Sequence, residues 1–307
     1  MFQKEQAVSR LIEILVEYIP NLKAQIEDFS KDYFAQRALL RGLMNMHSEK
    51  NPLPEEFFSL QDELLQQELS EKQIIDESSL KPCLLNQNVF VYTGDITAFK
   101  ADAVVNSAEA NLLGCKQAGH NCPDNALHSA AGLQLRFECY SIMQGRDAPE
   151  GCAIVTRAYN LPYGIVIHVV GPKVTFEVTP DDIEKLKKCY QGALKIAKEH
   201  GCKSIVFTPI ATGTLGFSMQ KAAKVAVDTV LSFLKDPQND LKVIFFVPQE
   251  RDCIIYDNLL TPHEEKKGDL HPFFNINSNL NLFLKSNPLV PVCQINNSTT
   301  AKPMPKQ

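Results

Sequence analysis

Three things are missing from this chain of 307 residues, and each absence excludes a class of protein. No apolar run approaches the roughly 20 residues that a membrane-spanning helix needs. No long basic run breaks the mixture of 31 Lys plus Arg with 36 Asp plus Glu, a net charge of -5, so a cationic groove for nucleic acid is not expected. A nucleotide site built from backbone N–H groups needs no such charge. The apolar block of a signal peptide is lacking too: MFQKEQAVSR leads into Leu11, Ile12, Ile14, Leu15 and Val16 with Glu13 and Glu17 between them, which is an amphipathic helix. The expectation is a soluble, cytoplasmic protein without nucleic-acid or membrane partners. In that reducing setting its nine scattered cysteines read as free thiols or metal ligands, not disulfides.

What is present points to two folded units, since 44% hydrophobic content over this length supports one large core and a smaller one. Residues 1–70 carry apolar positions at helical spacing, as in Tyr33, Phe34, Ala38, Leu40 and Leu43, then Phe57, Leu60, Leu64 and Leu65. Pro20 and the Pro52 to Pro54 stretch interrupt this helical unit, and Glu55 and Glu56 suit the first turn of the next helix. It reads as a packing layer. Residues 71–86, polar from Glu71 to Ser79, read as a linker.

Over 87–262 short β-rich runs alternate with helical segments. Strands are predicted at Val89–Tyr92, Ala103–Asn106, Ala153–Thr156, Ile165–Val170, Ser204–Thr208 and Val243–Val247. Helices are predicted at Asp124–Met143, Asp181–His200, Met219–Leu234 and near Arg251–Leu260. This alternation indicates an α/β domain with a mostly parallel sheet, in which ligands bind beyond the carboxyl ends of the strands. From His263 to the end the periodicity fades and Asn and Pro become frequent, so 263–307 reads as a flexible tail whose Phe273, Phe274 and Leu280 to Leu284 offer a docking cluster.

Three segments carry chemistry. Gly94, Asp95, Ile96 and Thr97 follow a strand; the carboxylate there can accept from an exocyclic amine such as that of adenine, while the same residues also make an ordinary turn. In the run Thr208 to Phe217, Gly213 and Gly216 allow N–H groups to turn toward a diphosphate at a helix start, with Phe217 against a ribose; the alternative is a plain glycine turn with Phe217 in the core. The run Gly114 to Asp124 holds Cys115, His120 and Cys122, three zinc-type ligands within eight residues. His120 and Cys122, two apart in an extended stretch, point the same way. Pro123 drives Cys122 out of helical geometry and opens a helix that Cys122 caps, and the positive helix end is expected to lower its pKa.

No fourth local ligand appears, and two Cys plus one His with an open position match a catalytic zinc. A distant fourth ligand would make the site structural, and two thiols beside a loop His need no metal at all. Asp124, in the first turn of the helix, reads as a general base or substrate-orienting carboxylate, and His128, one turn later among small residues, as a buried hydrogen-bonding side chain.

The order of the segments GDIT (94–97), VVNSA (104–108), LLG (112–114), DNALHSAAG (124–132), IHVVGP (167–172) and TPIATGTLGF (208–217) resembles the macrodomain family. The cysteine and histidine insertion after LLG, with LQDELL at 60–65 in the helical unit, is similar to the zinc-containing microbial subgroup. The resemblance implies a three-layer α/β/α sandwich with a mixed, mostly parallel sheet, preceded by the small helical unit. It implies that Asp95 accepts from adenine, that Ile96 offers its backbone, that Thr212, Gly213, Thr214, Leu215, Gly216 and Phe217 wrap the diphosphate, and that Asn106 holds the distal ribose. One Zn2+ per chain on Cys115, His120 and Cys122 would sit by that ribose, and the implied activity is hydrolysis of the bond between ADP-ribose and a protein side chain, with ADP-ribose and mono-ADP-ribosylated protein as partners. Glu109 departs from the family pattern, which has Asn at that position, and leaves the catalytic base open between Asp124 and Glu109. The rival functions are a module that binds ADP-ribose without cleaving it and an esterase acting on O-acyl-ADP-ribose.

Overall fold

The computed structural model describes residues 3–262, so the expected tail lies outside the described residues. Four helices come first: α1 (Lys4–Val16), α2 (Lys23–Glu27), α3 (Tyr33–Met46) and α4 (Glu55–Ser70). The Asp32 carboxylate caps α3 by accepting from Ala35 N–H at 3.0 Å, and Glu55 and Glu56 occupy the first turn of α4, as the dipole favours. Leu11, Leu15, Leu40, Leu43, Phe57 and Leu64 meet in a core of their own. Phe34 does not share it; that ring projects into solvent. Residues 71–86 are stitched to the start of the α/β domain, because Ile75 donates to Ala98 O at 3.0 Å and accepts from Lys100 N–H at 2.7 Å.

Six strands form one sheet: β1 (Val89–Tyr92), β2 (Ala101–Ala108), β3 (Ala153–Arg157), β4 (Tyr163–Val170), β5 (Ser204–Phe207) and β6 (Lys242–Phe246), in the order β1-β6-β5-β2-β4-β3. Every pairing is parallel except β3 with β4. Val89, Val91, Ala103 and Val105 face one core, and Phe90, Tyr92 and Val104 face the other, the period-two alternation of a sheet covered on both sides. The remaining helices are α5 (Pro123–Ala131), α6 (Leu133–Met143), α7 (Pro180–Glu199), α8 (Met219–Leu234) and α9 (Cys253–Leu260). α7, α8 and α9 fill the first face; α5 and α6 fill the second. The expected three-layer sandwich is therefore present, and the N-terminal helices add a layer by packing on Leu133 and Phe137 of α6.

The expected single helix from Asp124 to Met143 is two helices. Gly132 stands between them with φ +96°, closed to L side chains, and its missing Cβ makes room for Gln61 of α4. Gln61 Oε1 accepts from Leu133 N–H at 2.8 Å, satisfying a donor that the break would orphan. No helix among the described residues is long and apolar enough to cross a membrane.

Candidate active site

β2 and β5 are parallel neighbours, yet the chain leaves β2 for α5 on one face and β5 for α8 on the other. Their carboxyl ends thus form a topological switch point, where α/β sheets open a crevice. The two loops that leave it are fastened together: Ser107 N–H donates to Thr208 Oγ1 at 3.2 Å, and Ala211 N–H donates to Ser107 Oγ at 3.3 Å.

Under this crevice lies a buried polar group. Parallel register sets Asn106 of β2 beside His168 of β4. The Asn106 amide nitrogen donates to Asp124 Oδ1 at 2.7 Å and lies 3.3 Å from His168 Nδ1. His168 Nδ1 is therefore the acceptor, which puts the ring proton on Nε2, 3.0 Å from Thr156 Oγ1. With both amide hydrogens engaged, Asn106 Oδ1 is left buried without a partner. Burial pushes the Asp124 carboxyl up to about 6, against the pull of the Asn106 amide and with a further push from Glu109. Burial drops His168 to about 4 and holds His128 well below the ordinary imidazole value, where His168 and Arg136 add to it.

His128 is buried as expected, but neither ring nitrogen has a hydrogen bond; its Nε2 lies 3.6 Å from Asp124 Oδ1. Its ring instead supports the turn above it. A Cβ at Gly114, whose φ is +73°, would fall 2.6 Å from that ring. Of the two candidate bases, Asp124 is buried against Asn106, whereas Glu109 is exposed and reaches Asp124 through its charge alone.

Cys115, His120 and Cys122 are brought together, their donor atoms all within 4.8 Å of one another and Cys115 Sγ 3.5 Å from His120 Nδ1. Donors about 3.5 to 3.8 Å apart are what a tetrahedral ion requires with Zn–S near 2.3 Å and Zn–N near 2.0 Å. The donor set and its spacing fit zinc. Cys122 caps α5 as expected, accepting from Asn125 N–H at 3.4 Å. The expected fall in its pKa is not found, because burial raises the thiol more than the Asn125 N–H lowers it, and Cys115 beside it raises it again. A divalent ion bound by the Cys122 thiol would reverse that balance.

Farther along the crevice, Asp95 Oδ1 accepts from Thr97 N–H at 2.9 Å, and Oδ2 accepts from Lys72 Nζ at 2.9 Å. Burial alone raises this carboxyl, but Lys72 and Thr97 outweigh it and the pKa falls. Ile96 gives its carbonyl to Tyr163 OH at 2.8 Å, while its N–H has no partner among the described residues. The N–H groups of Thr212, Gly213, Thr214 and Leu215 are likewise unpaired there. Gly213 needs no positive φ, and a Cβ on it would meet only open space, so nothing in the fold itself demands glycine there. Gly216 and Phe217 turn their N–H groups inward, to Gly213 O and Ala211 O, and the Phe217 ring is buried in the core. Phe217 therefore packs in the core, one of the two placements its sequence left open.

A cavity of about 320 Å³ opens between α3, α4 and α5 and touches Asp95 at its edge. It contains neither the thiol and imidazole donors nor Asn106 or Asp124, and its Arg37–Glu68 and Lys72–Asp95 charges are already paired. Sequence reasoning missed Lys72, Arg41, Asn45 and Asn125, ordinary polar residues whose only signal is their position in space.

The Macro domain profile matches residues 105–226. A protein-ADP-ribose hydrolase of Staphylococcus aureus (strain MSSA476) is 41% identical over 221 residues, 71% of this chain and 82% of the relative. A protein-ADP-ribose hydrolase of Treponema medium is 40% identical over 266 residues, 85% of this chain and all of the relative. Among solved structures, the Oceanobacillus iheyensis macrodomain with MES bound is 35% identical, with a TM-score of 0.50 over 55% of this chain and 88% of its own.

Proposed function

The chain belongs to the macrodomain family, and from that premise we propose that it is a zinc-dependent hydrolase that removes mono-ADP-ribose from modified proteins. The observation that carries this reading is the juxtaposition of the Cys115, His120 and Cys122 donors with the buried Asn106–Asp124 pair at the carboxyl end of β2. The names of the Staphylococcus and Treponema relatives, both protein-ADP-ribose hydrolases, support the hydrolase part of it.

In this reading Asp95 and the Ile96 N–H hold adenine, and the free N–H groups of Thr212 to Leu215 bind the diphosphate. Asn106 Oδ1, buried and unpartnered, accepts from a hydroxyl of the distal ribose. Cys115, His120 and Cys122 would hold zinc, which would supply Lewis-acid polarisation of a ribose hydroxyl or water oxygen. Water adds its oxygen to the anomeric carbon of that ribose as the bond to the protein side chain breaks. Asp124 takes the proton that water loses and passes it to the departing side chain, which closes the balance. A carboxyl near 6 exchanges protons at neutral pH, which suits it to this work.

The test is release of ADP-ribose from mono-ADP-ribosylated proteins of several linkages over many turnovers, with and without a zinc chelator. Turnover that stops on chelation, with close to one zinc per chain lost in Cys115→Ala or Cys122→Ala without unfolding, is expected. If elemental analysis of protein kept reduced and free of chelators finds no metal, zinc leaves the reading. Tight ADP-ribose binding with no linkage cleaved makes the protein a binding module, and cleavage of O-acyl-ADP-ribose alone makes it an esterase.

A further inference from the structure

The loop that carries the three metal donors runs from Gly114 to Cys122 and has no secondary structure beyond turns. A free loop of that length would spend conformational entropy each time it closed on an ion. This one is tied down along its length, and most of the ties lead to the N-terminal helical layer. Lys116, next to Cys115, forms an ion pair with Glu49 just beyond α3, at 2.6 Å. Gly119, next to His120, donates its N–H to Asn45 Oδ1 at 3.0 Å. His120 itself gives its carbonyl oxygen to Arg41 Nη2 at 3.2 Å. Arg41 and Asn45 are four apart on α3 and share a face. Between them in sequence Gly42 faces Ala118, where a Cβ would make ordinary van der Waals contact at 3.6 Å.

Asn125, fully buried on α5, joins these ties into one network. Its Oδ1 accepts from Arg41 Nη2 at 2.7 Å and Nε at 3.1 Å. Its Nδ2 lies within hydrogen-bond distance of Asn45 Oδ1, Cys115 O and Gln117 O, at 3.0, 3.3 and 3.1 Å. Its own N–H is the group capped by Cys122. Each of the three donor residues is thus fixed directly or through a neighbour. At the foot of the loop, buried Arg136 of α6 donates to Leu113 O, Met44 O and His47 O at 2.8, 2.9 and 2.9 Å, which locks the loop's start to the end of α3.

We propose that the N-terminal helical layer is part of the metal site: Arg41 and Asn45, acting through Asn125, are positioning residues that hold Cys115, His120 and Cys122 in place before the ion arrives. The proposal rests on the zinc-dependent reading of the site. Ligands prearranged by their supporting hydrogen bonds bind metal more tightly and with one geometry.

The experiment uses the full chain with Arg41→Ala, Asn45→Ala and Arg41→Lys. Zinc affinity is measured by competition with a chromophoric chelator, and cobalt substitution reports ligand geometry through its visible bands. Arg41→Ala and Asn45→Ala are expected to weaken zinc binding about tenfold or more, the usual size of an outer-sphere effect, and to alter the cobalt spectrum. Arg41→Lys should recover part of the affinity, and the ADP-ribose affinity of the metal-free forms should stay within a factor of two. Faster hydrogen exchange at the Gly119 amide is expected in Asn45→Ala with or without metal. Should either alanine variant fail to fold, Lys116→Met and Glu49→Gln break the outermost tie without touching α3's face. Wild-type affinity and an unchanged spectrum in the variants that fold overturn the clamp. A wild type that binds no zinc or cobalt overturns the zinc reading instead, and the Gly119 exchange rate then still reports whether the tie exists.

Discussion

Asn106 and His168 are register partners on adjacent parallel strands, and the amide of one donates to Nδ1 of the other at 3.3 Å. That contact fixes which way the Asn106 amide faces. Its oxygen is left without a partner, and its second hydrogen goes to Asp124.

His168 should therefore report on pH. Its folded pKa is about 4 against an ordinary 6.5, depressed by burial, so the unfolded chain binds the proton first. The stability that the neutral ring provides is fully present above about pH 6.5 and is lost as pH falls toward 4, an amount of about 3 kcal/mol. His168→Gln keeps an acceptor and a donor but cannot titrate. Denaturant unfolding of the metal-free proteins at pH 7 and pH 4 should show the wild type losing about 3 kcal/mol relative to the variant. Asp124, raised to about 6, has the opposite sign, destabilising the fold as pH rises from 3.8, but it is common to both proteins. Parallel curves would mean that His168 is not buried neutral.

Asp124 and Glu109 separate by kinetics. Asp124→Ala should lower turnover at least a hundredfold, the scale of general acid–base catalysis, and weaken ADP-ribose binding far less. Glu109→Gln removes a charge that Asp124 senses, so its expected effect is a shift of the acid limb of the pH–rate profile to lower pH with the maximal rate kept. A hundredfold loss in Glu109→Gln as well would make the base shared.

Asp95→Ala should weaken ADP-ribose binding by about 1.5 to 3 kcal/mol, the worth of a hydrogen bond to a charged group. Titration calorimetry reads this directly. Unchanged affinity would move adenine away from the Gly94–Thr97 turn.

Gly132→Ala should destabilise the fold by about 2 to 4 kcal/mol, from a left-handed backbone position and a disturbed cap. The added carbon would come within 2.5 Å of Gln61 Nε2, whose amide oxygen caps Leu133. A melting temperature equal to wild type would show that the α5–α6 break does not depend on glycine.

Much of this was readable in the chain because strand residues repeat a local rule. All six strands lie where Val, Ile and Phe runs end in turn residues, and Thr179, Pro180 and Asp182 mark the start of α7 with a capping box. The Cys and His triad was readable for the same reason, being local. The break at Gly132 was not, since a glycine among alanines fits a helix until Gln61, some 70 residues earlier, needs its space. Cys122 misled because the helix end argues for a thiolate, while burial, which outweighs it, leaves no mark in the sequence. Arg41, Asn45 and Asn125 carry no pattern at all; their meaning lies in contacts spanning 79 to 84 positions.

The sheet order has one more consequence. β1, the strand that leads into Asp95, lies at the sheet's edge, where β6 is its one strand neighbour among the described residues and Pro82 adds an isolated bridge to Phe90. Among the described residues β6 is the last strand. The Asp95 end of the crevice is therefore completed by the strand pairing most distant in sequence among the described residues, Val89 with Val243, which gives it a high contact order. During synthesis the Cys115–Cys122 loop and α5 leave the ribosome more than 100 residues before β6, so on the proposed reading the nascent chain assembles its metal centre well before it can grip a nucleotide.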